Sequence, residues 1–116
     1  MLQKLSNRTM KTTLTIDQSA ELIKRGVSID KASRRTPDYH DTPIFTLADL
    51  LSLLPKEIEN GLYSLDLMAD NVEWDSVYSS AHVGYDPYFV ANEKELIDVL
   101  YKTLLWTIDH NHVKLD

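Results

Sequence analysis

The sequence contains no cysteine, and this absence excludes a disulfide framework, a thiolate zinc site and a cysteine nucleophile. Only three glycines are present, so the chain has no glycine-rich loop of the kind that holds phosphate groups or dinucleotides. No apolar run approaches the roughly 20 residues that cross a bilayer, and the first residues lack the apolar stretch of a signal peptide. We therefore expect a cytoplasmic protein that binds neither membranes nor a cofactor.

Length and charge bound the organisation of the chain. Its 116 residues match one domain, and we predict a single α+β domain over residues 14–116 preceded by a flexible N-terminal segment over residues 1–13. Residues 1–36 hold eight bases and three acids, a net charge of +5, whereas the remainder holds four bases and fifteen acids, a net charge of −11. This asymmetry fits a polyanion-binding end, and it equally fits two parts of one domain that attract each other.

The N-terminal third is predicted to form a helical hairpin. Thr15 and Gln18 match the S/T-x-x-E/Q capping pattern, which predicts a helix over residues 16–25. Ser28 is a suitable N-cap for a second, shorter helix over residues 29–35. A glycine turn separates the two helices.

Two further helices are predicted from caps and apolar spacing. Thr46 and Asp49 begin one of them, and leucines recur at helical spacing after these residues. Asn92 with Glu95 gives the N-terminal signal of the last helix, whose wide apolar face is typical of a helix that covers a sheet.

Between these helices the pattern changes to the period of two that is typical of strands. Apolar residues alternate with polar ones over residues 63–67 and again over residues 72–79, while residues 83–90 give a third, less regular strand at an edge. The predicted architecture is a three-stranded antiparallel meander covered by the C-terminal helix, with the helical hairpin at its side. A homodimer through the exposed edge strand remains an open alternative.

Aromatic and acidic residues crowd the region of the third strand. Flat amphipathic rings with an acidic rim suit a protein interface, although we expect some of these rings to belong to the core. We therefore predict a non-enzymatic protein-interaction or accessory module. The candidate protein-binding residues are Asp75, Tyr78, Tyr85, Asp86 and Tyr88.

The alternative function is that of a small DNA-binding regulator. The segment over residues 21–35 resembles the helix-turn-helix of MerR-type regulators, in which a Gly-Val-Ser turn joins two helices and the second ends in an arginine pair. The resemblance implies that this second helix enters the major groove, where arginines contact phosphates or guanine. The candidate DNA-binding residues are Lys24, Arg25, Ser28, Lys31, Arg34 and Arg35.

Other candidate chemistry is sparse, and we predict neither a metal site nor an enzyme. His110 and His112 form a His-x-His pair, which would need a third ligand such as Asp116 to hold a metal ion. Glu73 and Asp75 are expected on the solvent side of a strand, where nothing separates their pKa values for acid and base roles.

A broader resemblance, in the spacing of matched residues, covers roughly 100 residues of the chain. It is carried by residues 15–23, 45–58 and 95–108. In these segments the chain resembles small uncharacterised proteins of gut Bacteroidetes and of their phages or mobile elements. This resemblance implies a genomic setting and no mechanism.

Overall fold

The computed structural model describes residues 10–38, 40–113 and 115, and the α+β class expected from the sequence is confirmed. Helix α3 lies on one face of an antiparallel sheet, and α2 packs against α3. Among the described residues, the helices are α1 (Ile16–Lys24), α2 (Leu47–Leu53) and α3 (Leu96–Asp109), with a 3-10 turn at Ile29–Lys31. The strands are β1 (Arg34–Arg35), β2 (Pro43–Ile44), β3 (Glu57–Ile58), β4 (Tyr63–Ala69), β5 (Trp74–Ser79) and β6 (Tyr88–Glu93).

Helix α1 begins at the predicted capping box. The Thr15 hydroxyl accepts the amide of Gln18 at 3.0 Å, and the side-chain oxygen of Gln18 accepts the amide of Thr15 at 3.0 Å. The helix buries Leu22, whereas Ile16 in its first turn is exposed. Gly26 follows with φ of +108°, a conformation that glycine adopts without strain, and the helix ends before it.

The predicted second helix over residues 29–35 is wrong. The chain makes a single 3-10 turn at Ile29–Lys31 and then enters β1, which pairs antiparallel with β2. The cause lies outside the segment, because the amide and the hydroxyl of Ser33 both donate to the Asp49 carboxylate at 2.9 Å. This contact holds the chain extended where a helix would continue, so the N-terminal helical hairpin is not formed.

Helix α2 begins at Thr46 and Asp49 as predicted, and these two residues form a second capping box. The Asp49 carboxylate accepts the amide of Thr46 at 2.9 Å, and the Thr46 hydroxyl accepts the amide of Asp49 at 3.2 Å. Partial burial alone would raise the pKa of Asp49, but hydrogen bonds from Thr46 and Ser33 outweigh it and lower this pKa. The helix ends at Leu54, whose extended backbone leads into Pro55.

The main sheet has four antiparallel strands in the order β3-β4-β5-β6, where the sequence predicted three. The predicted meander corresponds to β4, β5 and β6, and β3 is the additional strand. Strand β6 also begins later than predicted, because Gly84 with φ of +93° and the ring of Pro87 interrupt the segment before it. Val83, expected in that strand, is 100% exposed in the preceding loop.

Helix α3 covers β5 and β6. Its N-cap is Glu95, not Asn92, because Asn92 pairs with Asp75 within the sheet. On the covered face, the hydroxyls of Ser76 and Thr103 lie 2.6 Å apart and are buried. The predicted C-terminal helix over a sheet is therefore observed, with a later start.

The start of the described chain lies against α2 and α3. The Thr12 carbonyl accepts the amide of Leu47 at 2.8 Å, and the Lys11 ammonium lies 3.2 Å from the Asp98 carboxylate. Residues 1–9 of the predicted flexible segment lie outside the described residues.

A continuous hydrophobic core joins the helices to the sheet. Its buried members come from α1, α2, α3 and the segments that flank these helices, and they include Leu22, Phe45, Leu50, Leu100 and Leu104. The partly buried Leu65 and Leu67 of β4 pack against them. Of the helices in the part of the chain that the structure describes, none has the length and apolar character needed to cross a membrane.

Candidate functional site

The sheet has one covered face and one open face. Ser76 and Tyr78 of β5 contact Thr103 and Trp106 of α3. Side chains alternate along a strand, so the residues of β5 next to Ser76 and Tyr78 point to the opposite side. The register carries this alternation to the neighbouring strands. We call the opposite side the outer face, and its residues are Ser64, Asp66, Met68, Asp75, Val77, Ser79, Phe89 and Asn92.

The outer face presents apolar groups. Phe89 on β6 is 78% exposed, and Met68 on β4 is 47% exposed. Val77 lies on the central strand of this face and is only 3% exposed, because the side chains of the flanking strands surround it. Exposed apolar groups around a shielded central residue are typical of a surface that binds a partner.

Carboxylates stand beside these apolar groups. The hydroxyl of Ser79 donates to the Asp66 carboxylate at 2.6 Å, and the side-chain amide of Asn92 donates to Asp75. These contacts orient both acids without neutralising their charge. From residue 57 to residue 92, which spans β3, β4, β5 and most of β6, the chain has no lysine or arginine. The seven acids of that stretch are Glu57, Glu59, Asp66, Asp70, Glu73, Asp75 and Asp86.

The five residues predicted to bind protein do not form one patch. Asp75 lies on the outer face, whereas Tyr78 is fully buried on the covered face. Tyr85 and Asp86 are exposed in the loop before β6. Tyr88 is exposed at the start of β6, on the same side of the sheet as Tyr78, with which it pairs.

Aromatic rings form a row along the covered side of the sheet. Tyr63 contacts Tyr88 with ring centroids 4.7 Å apart, and Tyr88 contacts Trp106 at 5.6 Å. The Tyr88 hydroxyl donates to Glu59 at 2.8 Å, and this bond raises the pKa of Tyr88 to about 12. Burial likewise raises the pKa of Tyr78 to about 12, and its hydroxyl donates to the Pro55 carbonyl at 2.7 Å. These phenols therefore stay neutral, and act as hydrogen-bond donors, to a higher pH than an ordinary tyrosine does.

The residues predicted to bind DNA lie on elements that differ from the expected ones. Arg25 donates to Glu21 and Asp109, and these bonds raise the pKa of its guanidinium. The Ser28 hydroxyl caps the 3-10 turn. Lys24 and Lys31 are exposed, as are Arg34 and Arg35 on β1. A recognition helix lies in the major groove of DNA, and a single 3-10 turn followed by a strand does not supply one. DNA binding stays a prediction, but the recognition helix expected over residues 29–35 is not formed.

The two C-terminal histidines stack on a tryptophan. The rings of His110 and His112 lie with centroids 4.8 Å and 5.1 Å from that of Trp106, and the Nδ1 of His110 lies 2.9 Å from the Trp106 carbonyl oxygen. Asp116, the third ligand that a metal site with these histidines would need, lies outside the described residues. Of the residues that the structure describes, no group of three or more His, Cys, Asp or Glu is placed to hold a metal ion.

A groove that the sequence does not signal lies between α2 and β4. It has a volume of about 600 Å³. Leu51, which is 44% exposed, points toward it from α2. The lining residues are Leu51, Ser52, Leu54, Lys56, Leu65 and Leu67. Alternate leucines on β4 indicate an apolar face, but they do not reveal that this face is left partly open at one edge.

Comparisons with known protein families, with curated proteins and with solved structures give no match.

Proposed function

We propose that this chain is a non-enzymatic protein-interaction module whose acidic sheet binds a positively charged segment of a partner protein. The observation that carries the proposal is the outer face, where exposed Phe89 and Met68 stand among carboxylates in a stretch of chain without lysine or arginine. Exposed apolar side chains among charges of a single sign favour one class of partner.

The apolar groups supply the area that a partner covers. Phe89 is a rigid ring, so little side-chain entropy is lost when it is buried in an interface. Met68 is flexible and adapts to the shape of the partner.

The carboxylates select the sign of the partner's charge. Asp66 and Asp75 are held in place by Ser79 and Asn92, so they are oriented before a partner arrives. Opposite charges accelerate association and disfavour acidic competitors, and both effects weaken as salt is added.

A library of random displayed peptides, panned against the purified protein, tests this proposal. We expect the selected peptides to carry net positive charge and to bind less tightly at higher salt. Asp66→Lys/Asp75→Lys should weaken their binding by at least tenfold, and Asp66→Asn/Asp75→Asn, which keeps hydrogen-bonding capacity, should weaken it to a smaller extent.

A matched control variant separates local from overall charge. Asp17→Lys/Asp30→Lys makes the same change in net charge at two exposed positions away from the sheet, and it should leave binding within about twofold. Selected peptides without a positive bias, or equal binding by both double lysine variants, would contradict the proposal. Circular dichroism spectra of each variant would check that it is folded.

A further inference from the structure

The open edge of strand β4 carries an inference about how a partner segment is bound. Strand β3 pairs with only the first part of β4, through Glu57 with Ser64 and Ile58 with Tyr63. The amide of Leu65 donates to the Lys56 carbonyl at 2.8 Å, just beyond this pairing. The rest of β4 has a neighbour on its β5 side and no strand on the other side, among the residues that the structure describes.

The register shows which backbone groups face this open edge. The amide of Leu65 points toward β3, and in an antiparallel strand every second residue points the same way. Leu67 and Ala69 therefore direct their N–H and C=O groups to the open side. Within residues 10–38, 40–113 and 115, no backbone hydrogen bond reaches them from that side.

The groove beside α2 begins at this edge. Leu65 and Leu67 line it from β4, and Leu51 and Leu54 line it from the end of α2. The space exists because the chain comes from α2 through Pro55 and β3 begins only at Glu57, so no part of β3 lies alongside Leu67. The groove thus occupies the position that a longer β3 would fill.

We propose that an extended segment of a partner, with apolar and basic residues in alternation, adds to the sheet as an antiparallel strand beside Leu67 and Ala69. This proposal rests on the proposed function, because it specifies how the positively charged segment is held. Added strands gain affinity from main-chain hydrogen bonds and specificity from alternate side chains.

The two faces of the edge determine the pattern of the added strand. Residues opposite Leu67 and Ala69 place their side chains on the covered side, where the groove with Leu51 lies beside Leu67. The residues between them point to the outer face beside Asp66. The groove therefore selects apolar residues, and the outer face selects lysine or arginine at the intervening positions.

Charge also decides against a second copy of this chain as the occupant. A twofold pairing of β4 strands that uses the free groups of Leu67 and Ala69 is centred on Met68. This arrangement sets Asp66 opposite Asp70 of the second copy, and like charges in directly opposed positions destabilise strand pairing. A basic segment meets the same carboxylates with opposite charge.

The probe for the test is an acetylated and amidated seven-residue peptide that alternates arginine with valine. We expect it to bind at least tenfold more tightly than a peptide of the same composition with its arginines and valines in separate blocks. On binding, the amides of Leu67 and Ala69 should become at least tenfold slower in hydrogen exchange.

N-methylation of the peptide tests the register without altering the protein. In an antiparallel pair, the peptide residues that exchange hydrogen bonds with Leu67 and Ala69 are those whose side chains enter the groove. Methylating the valine amides should therefore abolish binding, whereas methylating the arginine amides should leave it within about threefold.

A pair of protein variants tests the groove. Leu51→Arg places a bulky cation in the groove and should weaken binding at least tenfold, whereas Ile29→Arg, at a similarly exposed position outside it, should have little effect. Equal binding of the alternating and block peptides, with no effect of the methylated position, would overturn strand addition and leave the acidic interaction surface standing. Failure of both cationic peptides to bind would overturn both proposals.

Discussion

The carbonyl oxygen of Lys56 accepts the amide of Leu65 at 2.8 Å, and this bond ends the pairing of β3 with β4. One residue earlier, Pro55 brings the chain from the end of α2 to the sheet. The two-residue length of β3 therefore leaves half of β4 as an edge strand. Natural sheets usually shorten, charge or cover their edges, and this edge is charged on its outer side.

Amide exchange in the free protein reports whether that edge is open. The amides of Asp66 and Met68 face β5, where the register pairs them with Val77 and Asp75, so they should exchange slowly. The amides of Leu67 and Ala69 face the open side and should exchange at least tenfold faster. Exchange rates resolved for each amide by NMR check this prediction, and equal protection of the four amides would refute it.

Truncation in the core should be far more costly than truncation in the loop before β6. Leu100 is fully buried in α3, so Leu100→Ala should lower the free energy of unfolding by about 2–5 kcal/mol. Val83 is wholly exposed, and Val83→Ala should change the free energy of unfolding by less than about 0.5 kcal/mol. Urea unfolding measures both values. A small loss for Leu100→Ala would show that α3 is not packed on the sheet as described.

The buried hydroxyl pair under α3 should respond asymmetrically to substitution. Thr103 donates to the Val99 carbonyl at 2.6 Å, so the Ser76 hydroxyl is the donor to Thr103. Thr103→Val leaves a buried donor without an acceptor and should cost about 1–3 kcal/mol. Ser76→Ala should cost less, and the double variant should cost less than the sum of the two. Additive losses in a double-mutant cycle would contradict this assignment of donor and acceptor.

Alkaline pH should weaken the fold through Tyr88. Its hydrogen bond to Glu59 raises its pKa to about 12 from an ordinary 10, so the folded state favours the neutral phenol. The stability from this bond is fully present below pH 10 and is lost as the pH rises toward 12.

Substitution at either end of the bond tests this linkage. Glu59→Gln and Tyr88→Phe should each flatten the loss of stability between about pH 10 and 12. The double variant should flatten it no further than Tyr88→Phe alone. Unfolding by urea at a series of pH values measures the effect, and an unchanged slope in Glu59→Gln would count against the bond.

Replacing Phe89 on the outer face with a polar residue should weaken binding and leave the stability of the fold nearly unchanged. Phe89→Ser removes a mostly exposed side chain, so the free energy of unfolding should change by less than about 0.5 kcal/mol. Binding of the selected cationic peptides should weaken at least tenfold, since the anchor is lost. Val83→Ser, at an exposed apolar residue outside the sheet, is the control and should bind normally. Unaltered binding by Phe89→Ser would exclude Phe89 from the contact surface.

Local signals predicted the fold where the deciding contacts are close in sequence. The capping boxes of Thr15 and Thr46 bond to residues three positions away, and both helices begin where they indicate. The same reasoning failed at Asn92, because pairing with Asp75 on β5 outweighs its preference for a helix cap. It failed again at Ser33, which Asp49 holds in extended chain from a distant part of the sequence. Tertiary contacts overrode propensity in both cases.

The candidate site could be predicted in part. An acidic, aromatic sheet follows from composition, and Asp75 lies on its outer face. The alternation of β5 already places Tyr78 on the opposite face from Asp75, so these two could have been separated from the sequence. The groove could not be predicted, because it depends on where the chain enters the sheet after Pro55 and on the two-residue length of β3.

The affinity for the alternating arginine–valine peptide, measured by fluorescence anisotropy across a series of salt concentrations, tests the central claim most directly. The account predicts binding that weakens with salt, falls at least tenfold in Asp66→Lys/Asp75→Lys, and stays unchanged in Asp17→Lys/Asp30→Lys. Affinity that is insensitive to salt, or equal in the two double variants, would contradict an acidic sheet that binds a cationic partner.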